Sequence, residues 1–446
     1  MEIGEQSVGR LLVLRPVGRL DNTTSLEFQT RLLAAVEAGS AGIVVDFSAV
    51  DYISSAGLRA LMTAAKVKPK SLHLAAIGLN PVVREIFTIS RFHHVVPVLG
   101  SVDEARQAWA AQPQSGETAA LAAPNGNAIR IHFWGTRGSL PAPLGQATVA
   151  AKVRQALLAA RGRTLATEAA VDDFIARELP FSVRGTFGGN TSCVELSAGE
   201  DEYLLCDLGT GVREFGNRVL AAHGAQRGHT FNIVMSHPHW DHIMGFPFFG
   251  PAYLPGNRIL IHGCHEVLRE ALLRQQSSPC FPVDFGSLPS IIEFVELKPG
   301  VEHRIAGFSV TPIKQLHAGD SYGYRFERGG KAIVYSTDSE HKDELDASYP
   351  FVGFCRDADV LIFDSMYSLA DSISVKEDWG HSNNIVAVEL AQLARVKRLV
   401  LFHHEPVVDD GMIEGVLGET RRFEEVSRDG HRVEVLSAYD GLELTV

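Results

Sequence analysis

Residues 236–242 read Ser-His-Pro-His-Trp-Asp-His, which places His237, His239, Asp241 and His242 within six residues. Neutral imidazole and carboxylate are good donors to divalent cations of intermediate softness, zinc and its neighbours. The run follows an apolar, strand-type stretch, Phe231–Met235, and precedes Gly245 and the bulky Phe246–Phe249. A strand that ends in such a turn aims several donors at one point. Two histidines at i, i+2 carry little information. Three with an aspartate in this order point to a metal site.

Two cations need further ligands, one of them shared. His317 follows the alternating stretch Phe308–Ile313, Asp338 follows Ala332–Thr337, and His403 and His404 follow Arg398–Phe402. Each is a His or Asp at or just after the end of a predicted strand. Donors that converge from strand ends sit on a rigid scaffold.

The elements around these residues carry further motifs: Phe133-Trp-Gly-Thr-Arg-Gly-Ser-Leu-Pro141, Gly188-Gly-Asn-Thr-Ser-Cys193, Asp207-Leu-Gly-Thr-Gly211, Tyr335-Ser-Thr-Asp338, Trp379-Gly-His-Ser382 and Leu401-Phe-His-His404. On these, residues 128–446 resemble the metallo-β-lactamase fold and, within it, the ribonuclease Z-like phosphodiesterase branch. The resemblance implies a four-layer αββα domain. It also implies one metal held by His237, His239 and His317, and a second by Asp241, His242 and His403, with Asp338 bridging. His403 is preferred to the adjacent His404 because the family's last ligand lies two residues after the position matched by Leu401. The implied metals are two divalent ions, zinc first, with manganese or iron as alternatives.

A hydroxide shared by two cations can attack phosphorus in line, with Asp241 orienting it. The same resemblance places a non-ligand His at His381, a candidate proton donor to the leaving group. It places an orienting carboxylate at Asp364, after the strand Val360–Phe363. A carboxylate beside an imidazole fixes its tautomer and raises its basicity. The expected function is therefore a binuclear metal-dependent phosphodiesterase. The fold also supports ester, thioester and lactam hydrolysis, so that class remains an alternative. A signalling adaptor with a merely structural metal domain is a second alternative.

Charge bears on the substrate. Residues 1–110 hold 11 Lys+Arg and 10 Asp+Glu, which leaves 30 basic and 43 acidic residues beyond them, a formal −13. A metal pair returns about four charges. That balance argues against long nucleic acid and for a small-molecule or short phosphodiester substrate. The motif series is interrupted at about 144–185. There, Ala147–Arg161 and Glu168–Leu179 have helical spacing, an insertion suited to a lid, a homodimer contact or, equally, a helical pair that only pads the surface.

The N-terminal part is a different object. Residues 11–18, Ile43–Phe47 and Leu72–Ile77 read as strands. Asp21–Glu37, Ala56–Lys66 and Pro81–Ile89 read as helices, which gives a small α/β domain over residues 1–110. Val45-Asp-Phe-Ser48 and Tyr52-Ile-Ser-Ser-Ala-Gly-Leu58 resemble the STAS domain of anti-sigma-factor antagonists. The resemblance implies a regulatory module that binds an anti-sigma or serine-kinase type partner, with Ser55 as the phosphorylation candidate at a helix N-terminus. Ser54 stands where the antagonists usually carry Asp. The plainer reading is that Ser54 or Ser55 caps the helix.

Residues 111–127 have low complexity with Pro and Gly, a linker by composition. The expected fold class is thus α/β, a STAS-like domain ahead of an αββα domain at 128–446. No apolar run is long enough to span a bilayer. The N-terminus lacks the signal-peptide pattern, and the five Cys, an odd number, form no C-x-x-C. These features lead to the expectation of a cytoplasmic protein with reduced thiols.

Overall fold

The computed structural model describes residues 2–8, 11–38, 42–68, 72–90, 92–107, 128–199, 202–223, 228–341, 346–369, 376 and 379–446. The linker expected at 111–127 lies outside the described residues.

The N-terminal part contains strands β1 (Ile3–Val8), β2 (Leu11–Pro16), β3 (Gly18–Leu20), β4 (Gly42–Asp46), β5 (Val50–Ile53) and β6 (His73–Ile77), with helices α1 (Ser25–Glu37), α2 (Ser55–Val67) and α3 (Pro81–Ile89). The main sheet runs β1-β2-β4-β6, and β3 pairs with β5 alongside it. Period-2 alternation sends Leu14, Ile43, Val45, Leu74 and Ala76 into the cluster that holds Phe28, Leu58 and Ile86 of the helices. Val13, Val44, Ala75 and Ile77 meet Leu99 and Ala105 on the other face. The helix expected from Asp21 begins at Ser25. Before it, Asp21–Thr24 form a turn in which the Asp21 N–H donates to Thr24 Oγ1 at 3.0 Å and the Ser25 N–H to the Asp21 carbonyl at 2.8 Å. Leu26, an apolar residue of that helix, points to solvent.

The C-terminal part is a sandwich of two seven-stranded sheets. The first comprises β7 (Arg130–Gly135), β8 (Cys193–Ser197), β9 (Tyr203–Cys206), β10 (Thr230–Met235), β11 (Arg258–Gly263) and β12 (Ile291–Glu296). The second comprises β13 (His303–Ile305), β14 (Phe308–Gln315), β15 (Ser321–Arg328), β16 (Lys331–Ser336), β17 (Val360–Asp364), β18 (Arg398–Phe402) and β19 (Glu434–Ser437). A last strand, β20 (Glu443–Thr445), returns to pair with β7. The orders are β12-β11-β10-β9-β8-β7-β20 and β13-β14-β15-β16-β17-β18-β19.

Strands buried on both faces read as continuous apolar runs, and β17 is the clearest case. Its Val360 and Ile362 enter the core between the sheets, with Phe133, Val234 and Tyr335. Its Leu361 and Phe363 face outward, toward the cluster containing Ile385 and Val388 of the helix Asn384–Leu393. The outer face of the first sheet is covered by Phe215 and Val219 of the helix Val212–His223 and by Leu268 and Leu272 of the helix Leu268–Gln275. Helix, sheet, sheet, helix is the four-layer αββα arrangement.

The insertion forms the helices Gln146–Ala159 and Glu168–Glu178. No residue of the first is buried. Lys152 anchors it, donating to the Gly185 carbonyl at 2.7 Å and to Asp410 at 2.6 Å. Among the described residues no helix is long and apolar enough to cross a membrane.

Candidate metal centre

The candidate ligands converge from loops that follow β10, β14, β16 and β18. Donor atoms of His237, His239 and His317 lie within 4.8 Å of one another, as do those of Asp241, His242, Asp338 and His403. Asp338 stands between the two groups. Its Oδ1 is 3.1 Å from His242 Nε2 and 3.2 Å from His403 Nε2. Its Oδ2 is 3.7 Å from His237 Nε2 and 3.8 Å from His317 Nε2. Each oxygen of one carboxylate therefore faces a different set of imidazoles.

Backbone geometry sets this up. Asp338 and His403 both adopt positive φ, +43° and +62°. Non-glycine residues in this region are uncommon and carry strain that surrounding contacts must hold. Gly380 also has positive φ (+81°), and a Cβ there would lie 2.3 Å from His317 Nδ1. A Cβ on Gly138 would lie 2.4 Å from the His403 ring. The glycines of Trp379-Gly-His-Ser and Thr136-Arg-Gly-Ser thus make room for imidazoles.

Hydrogen bonds fix which nitrogen of His317 and of His242 faces the centre. His317 Nδ1–H donates to the Gly380 carbonyl at 2.8 Å, leaving Nε2 inward, 3.0 Å from His239 Nδ1. Asp207 orients His242, accepting its Nδ1–H at 2.8 Å. Asp207 also accepts the Ser236 N–H and Oγ–H at 2.7 Å each and the Tyr335 hydroxyl at 2.8 Å. Asp241 accepts the Ser139 N–H at 2.8 Å. Burial holds the His237, His239 and His317 imidazoles below their ordinary pKa, most strongly for His237, and so favours the neutral, metal-binding form. Burial also opposes ionisation of Asp338, but the surrounding imidazoles outweigh it and hold that carboxyl well below the carboxylate range.

The residues fit a metal. His237 Nε2 is fully buried and has no hydrogen-bond partner among the described residues. Orphaned polar atoms are costly and rare in a core. The His239 and His317 nitrogens face each other at 3.0 Å. His237, His239 and His317 would hold a cation that gives these nitrogens a partner.

His381 and Asp364 also meet here. His381 Nδ1–H donates to Asp364 Oδ2 at 2.8 Å, and the same nitrogen lies 4.0 Å from Asp338 Oδ2. Burial disfavours the cation, but Asp364 and Asp338 more than offset this and lift the imidazole to about 9. His404 points elsewhere. Its Nε2 lies 2.9 Å from the Ala438 carbonyl, and burial pushes its pKa down to about 3. Ser55 lies far along the chain from this cluster, at the start of α2, and it is buried there at 2% exposure. Ser54 is the N-cap, its side chain accepting from the Gly57 N–H.

Two carboxylates have roles that sequence reasoning misses. Asp207 stands in one of the sequence motifs without a role of its own, and Asp440 lies outside all of them. Asp440 accepts the Gly189 and Asn190 N–H groups at 3.0 Å each and the Thr136 hydroxyl at 3.1 Å, tying two motif loops together. Arg137 completes that knot through the carbonyls of Gly188, Glu405 and Val408 at 2.8–3.1 Å.

Comparison with known proteins finds two domain families in the chain. A beta-lactamase superfamily domain model matches residues 203–404, and a STAS domain model ("Mlab, STAS domain") matches residues 3–99. The chain is a STAS domain joined to a metallo-β-lactamase-fold domain. The STAS part is 32% identical over 110 residues to a putative anti-sigma factor antagonist, BtrV, of Bordetella bronchiseptica, covering 24% of this chain and 95% of that protein. The metallo-β-lactamase part is 25% identical over 271 residues to a ribonuclease Z of Bradyrhizobium sp., covering 49% of this chain and 84% of that protein. Among solved structures, the metallo-β-lactamase fold protein YhfI of Bacillus subtilis aligns over 72% of this chain and all of its own, at 18% identity and a TM-score of 0.46.

Proposed function

We propose that the metallo-β-lactamase-fold domain is a binuclear metal-dependent hydrolase acting on phosphodiesters. The observation that carries this reading is Asp338, whose two oxygens each address a separate group of imidazoles. His237, His239 and His317 would hold one ion, and Asp241, His242 and His403 the other. Two such cations, zinc first and manganese or iron next, would supply an acidified water and neutralise phosphoryl charge.

The remaining chemistry belongs to the chain's own groups. Asp241, held by the Ser139 N–H, would orient a nucleophile. His381, protonated below about pH 9, can hand a proton to a leaving alkoxide, and Asp364 holds its Nδ1 side. A proton donor matters most for a poor leaving group, which favours phosphodiesters with alkoxide leaving groups. The exposed indoles of Trp240 and Trp379 adjoin His239, Asp241 and Gly380 in the chain and offer apolar faces to a substrate flank. The formal charge of −12 favours a small or short substrate over a long polyanion. The ribonuclease Z relatives support the phosphodiester class. The STAS part is proposed to receive a protein partner of the anti-sigma or kinase type, with Ser55 as its phosphorylation candidate.

Elemental analysis of purified protein, paired with turnover of bis-p-nitrophenyl phosphate and a cyclic nucleotide, tests the reading. About two metals per chain and turnover abolished by Asp338→Ala are expected. Two metals with turnover only of esters or thioesters would move the assignment to that class. No metal under replete conditions would overturn it.

A further inference from the structure

The STAS domain packs against the helical layer that covers the outer face of the second sheet. One apolar cluster runs from Leu20, Ile53 and Leu61 of the first domain to Phe351, Ile385 and Val388 of the second. Large apolar contacts of this kind disfavour independent motion of two domains.

Polar contacts cross the junction from Ser55 and Arg59, one turn apart on α2. The Ser55 N–H donates to Glu389 Oε1 at 2.9 Å, and its hydroxyl donates to Glu389 Oε2. One turn on, Arg59 Nη2 donates to the His341 carbonyl at 2.8 Å. Both receiving segments lead straight to the metal centre. His341 is three residues from Asp338, and between them the Ser339 N–H donates to Asp364 at 3.2 Å. Glu340 accepts the Gly380 N–H at 3.2 Å, and the Gly380 carbonyl holds His317. Glu389 sits on the helix Asn384–Leu393, which begins three residues after His381.

We infer that α2 of the STAS domain is a positioning element of the metal centre, with Arg59 and Ser55 clamping the Asp338–His341 and His381–Glu389 segments. The clamp rests on the metal-site reading given above. Asp338 holds a positive-φ backbone, and such a conformation persists only when its surroundings over-determine it. The Arg59 contact on the same loop is one of those constraints. The clamp also makes Ser55 a point of exclusion. A carboxylate or phosphate there faces the buried Glu389 carboxyl and cannot be accommodated while α2 is docked.

The full chain tests this with Arg59→Ala, Arg59→Lys, Ser55→Asp and Ser55→Asp combined with Glu389→Gln. The readouts are zinc retained under graded chelator competition, the split between kcat and KM, and the thermal melt. Arg59→Ala and Ser55→Asp are expected to lower zinc retention about tenfold, the lower end for losing a group that orients a ligand. They should depress kcat with little change in KM. Arg59→Lys and the double variant should recover most of the loss, because a donor and a charge-neutral pairing are restored. Wild-type zinc retention and kcat in both Arg59→Ala and Ser55→Asp would overturn the clamp alone. Failure of both rescues in folded protein would overturn it as well. A wild type that takes up no zinc would overturn the clamp and the metal-site reading together.

Discussion

Asp364→Asn tests the proposed acid, with metal content measured alongside because Asp364 Oδ1 also lies 3.9 Å from His403 Nδ1 and its Oδ2 accepts the Ser339 N–H at 3.2 Å. Asp364 Oδ2 accepts the His381 Nδ1–H at 2.8 Å, and that contact, with Asp338 beyond it, lifts the imidazole to about 9 against the effect of burial. Asparagine keeps the shape and an acceptor but removes the charge. The imidazole should then fall to its ordinary value of about 6.5 or lower, a change of about 3.4 kcal/mol. The sign is fixed: a raised pKa keeps the acid protonated up to about 9, and a lowered one loses it on the alkaline side first. At pH 8 the protonated fraction drops from about nine-tenths to about 3%, roughly a thirtyfold loss for any substrate that needs the proton. At pH 6 the gap narrows to less than about twofold if the value stops at 6.5. The assay is kcat/KM against pH for a cyclic nucleotide, whose leaving alkoxide needs a proton, and for bis-p-nitrophenyl phosphate, whose leaving group does not. An equal loss at pH 6 and pH 8, or an equal loss on both substrates, would refute the acid role of His381.

Other perturbations separate the parts of the centre. Asp207→Asn should cut metal affinity by about 10–100-fold, read by chelator competition, because it disturbs the acceptor of four hydrogen bonds including the one that orients His242. Gly138→Ala should cost metal content at the His403 side, since its Cβ would meet that ring at 2.4 Å. Elemental analysis giving wild-type content would contradict this. His403→Ala should lose metal, whereas His404→Ala should lower the melting temperature yet keep the metal, because His404 is committed to the Ala438 carbonyl. Chelation of wild type should lower the melting temperature, by an amount that grows with the excess of metal over its dissociation constant.

The sequence carried most of the site because the candidate ligands follow strands, and apolar strand patterns are legible. β17 and β18 are read directly from Val360–Phe363 and Arg398–Phe402, and Asp338 and His403 follow from where strands stop. Helix α3 is bounded by Asn80 and Pro81, a cap and a first-turn proline, so its limits were legible too. β1 was not, because Ile3–Val8 is an edge strand with an exposed, mostly polar pattern and no buried face. Asp207 and Asp440 escaped a role because their partners lie far along the chain: Ser236, His242 and Tyr335 for one, Thr136 and Asn190 for the other. No local spacing encodes such contacts. The docking of Ser55 on Glu389, 334 residues away, is of the same kind. The serine motif was visible, but its burial under the second domain was not.

The geometry also explains why His381, crowded among seven candidate ligands, is read as an acid. Its donor atoms lie close enough to those of His317 and Asp338, and again to those of Asp364 and His403, for either set to hold an ion. Yet the nitrogen that approaches Asp338, at 4.0 Å, is Nδ1, and Nδ1 is already bonded to Asp364 at 2.8 Å. A ligand nitrogen must offer a lone pair, and a nitrogen that donates a proton to a carboxylate has none to offer. His242 makes the opposite use of the same device. Its Nδ1–H is spent on Asp207 at 2.8 Å, and Nε2 is turned toward Asp241 and Asp338 at 3.2 and 3.1 Å. Both rings are pinned through Nδ1 by a buried carboxylate, so carboxylate pairing alone does not sort ligand from acid. What sorts them is which nitrogen meets Asp338: the free one in His242, the occupied one in His381.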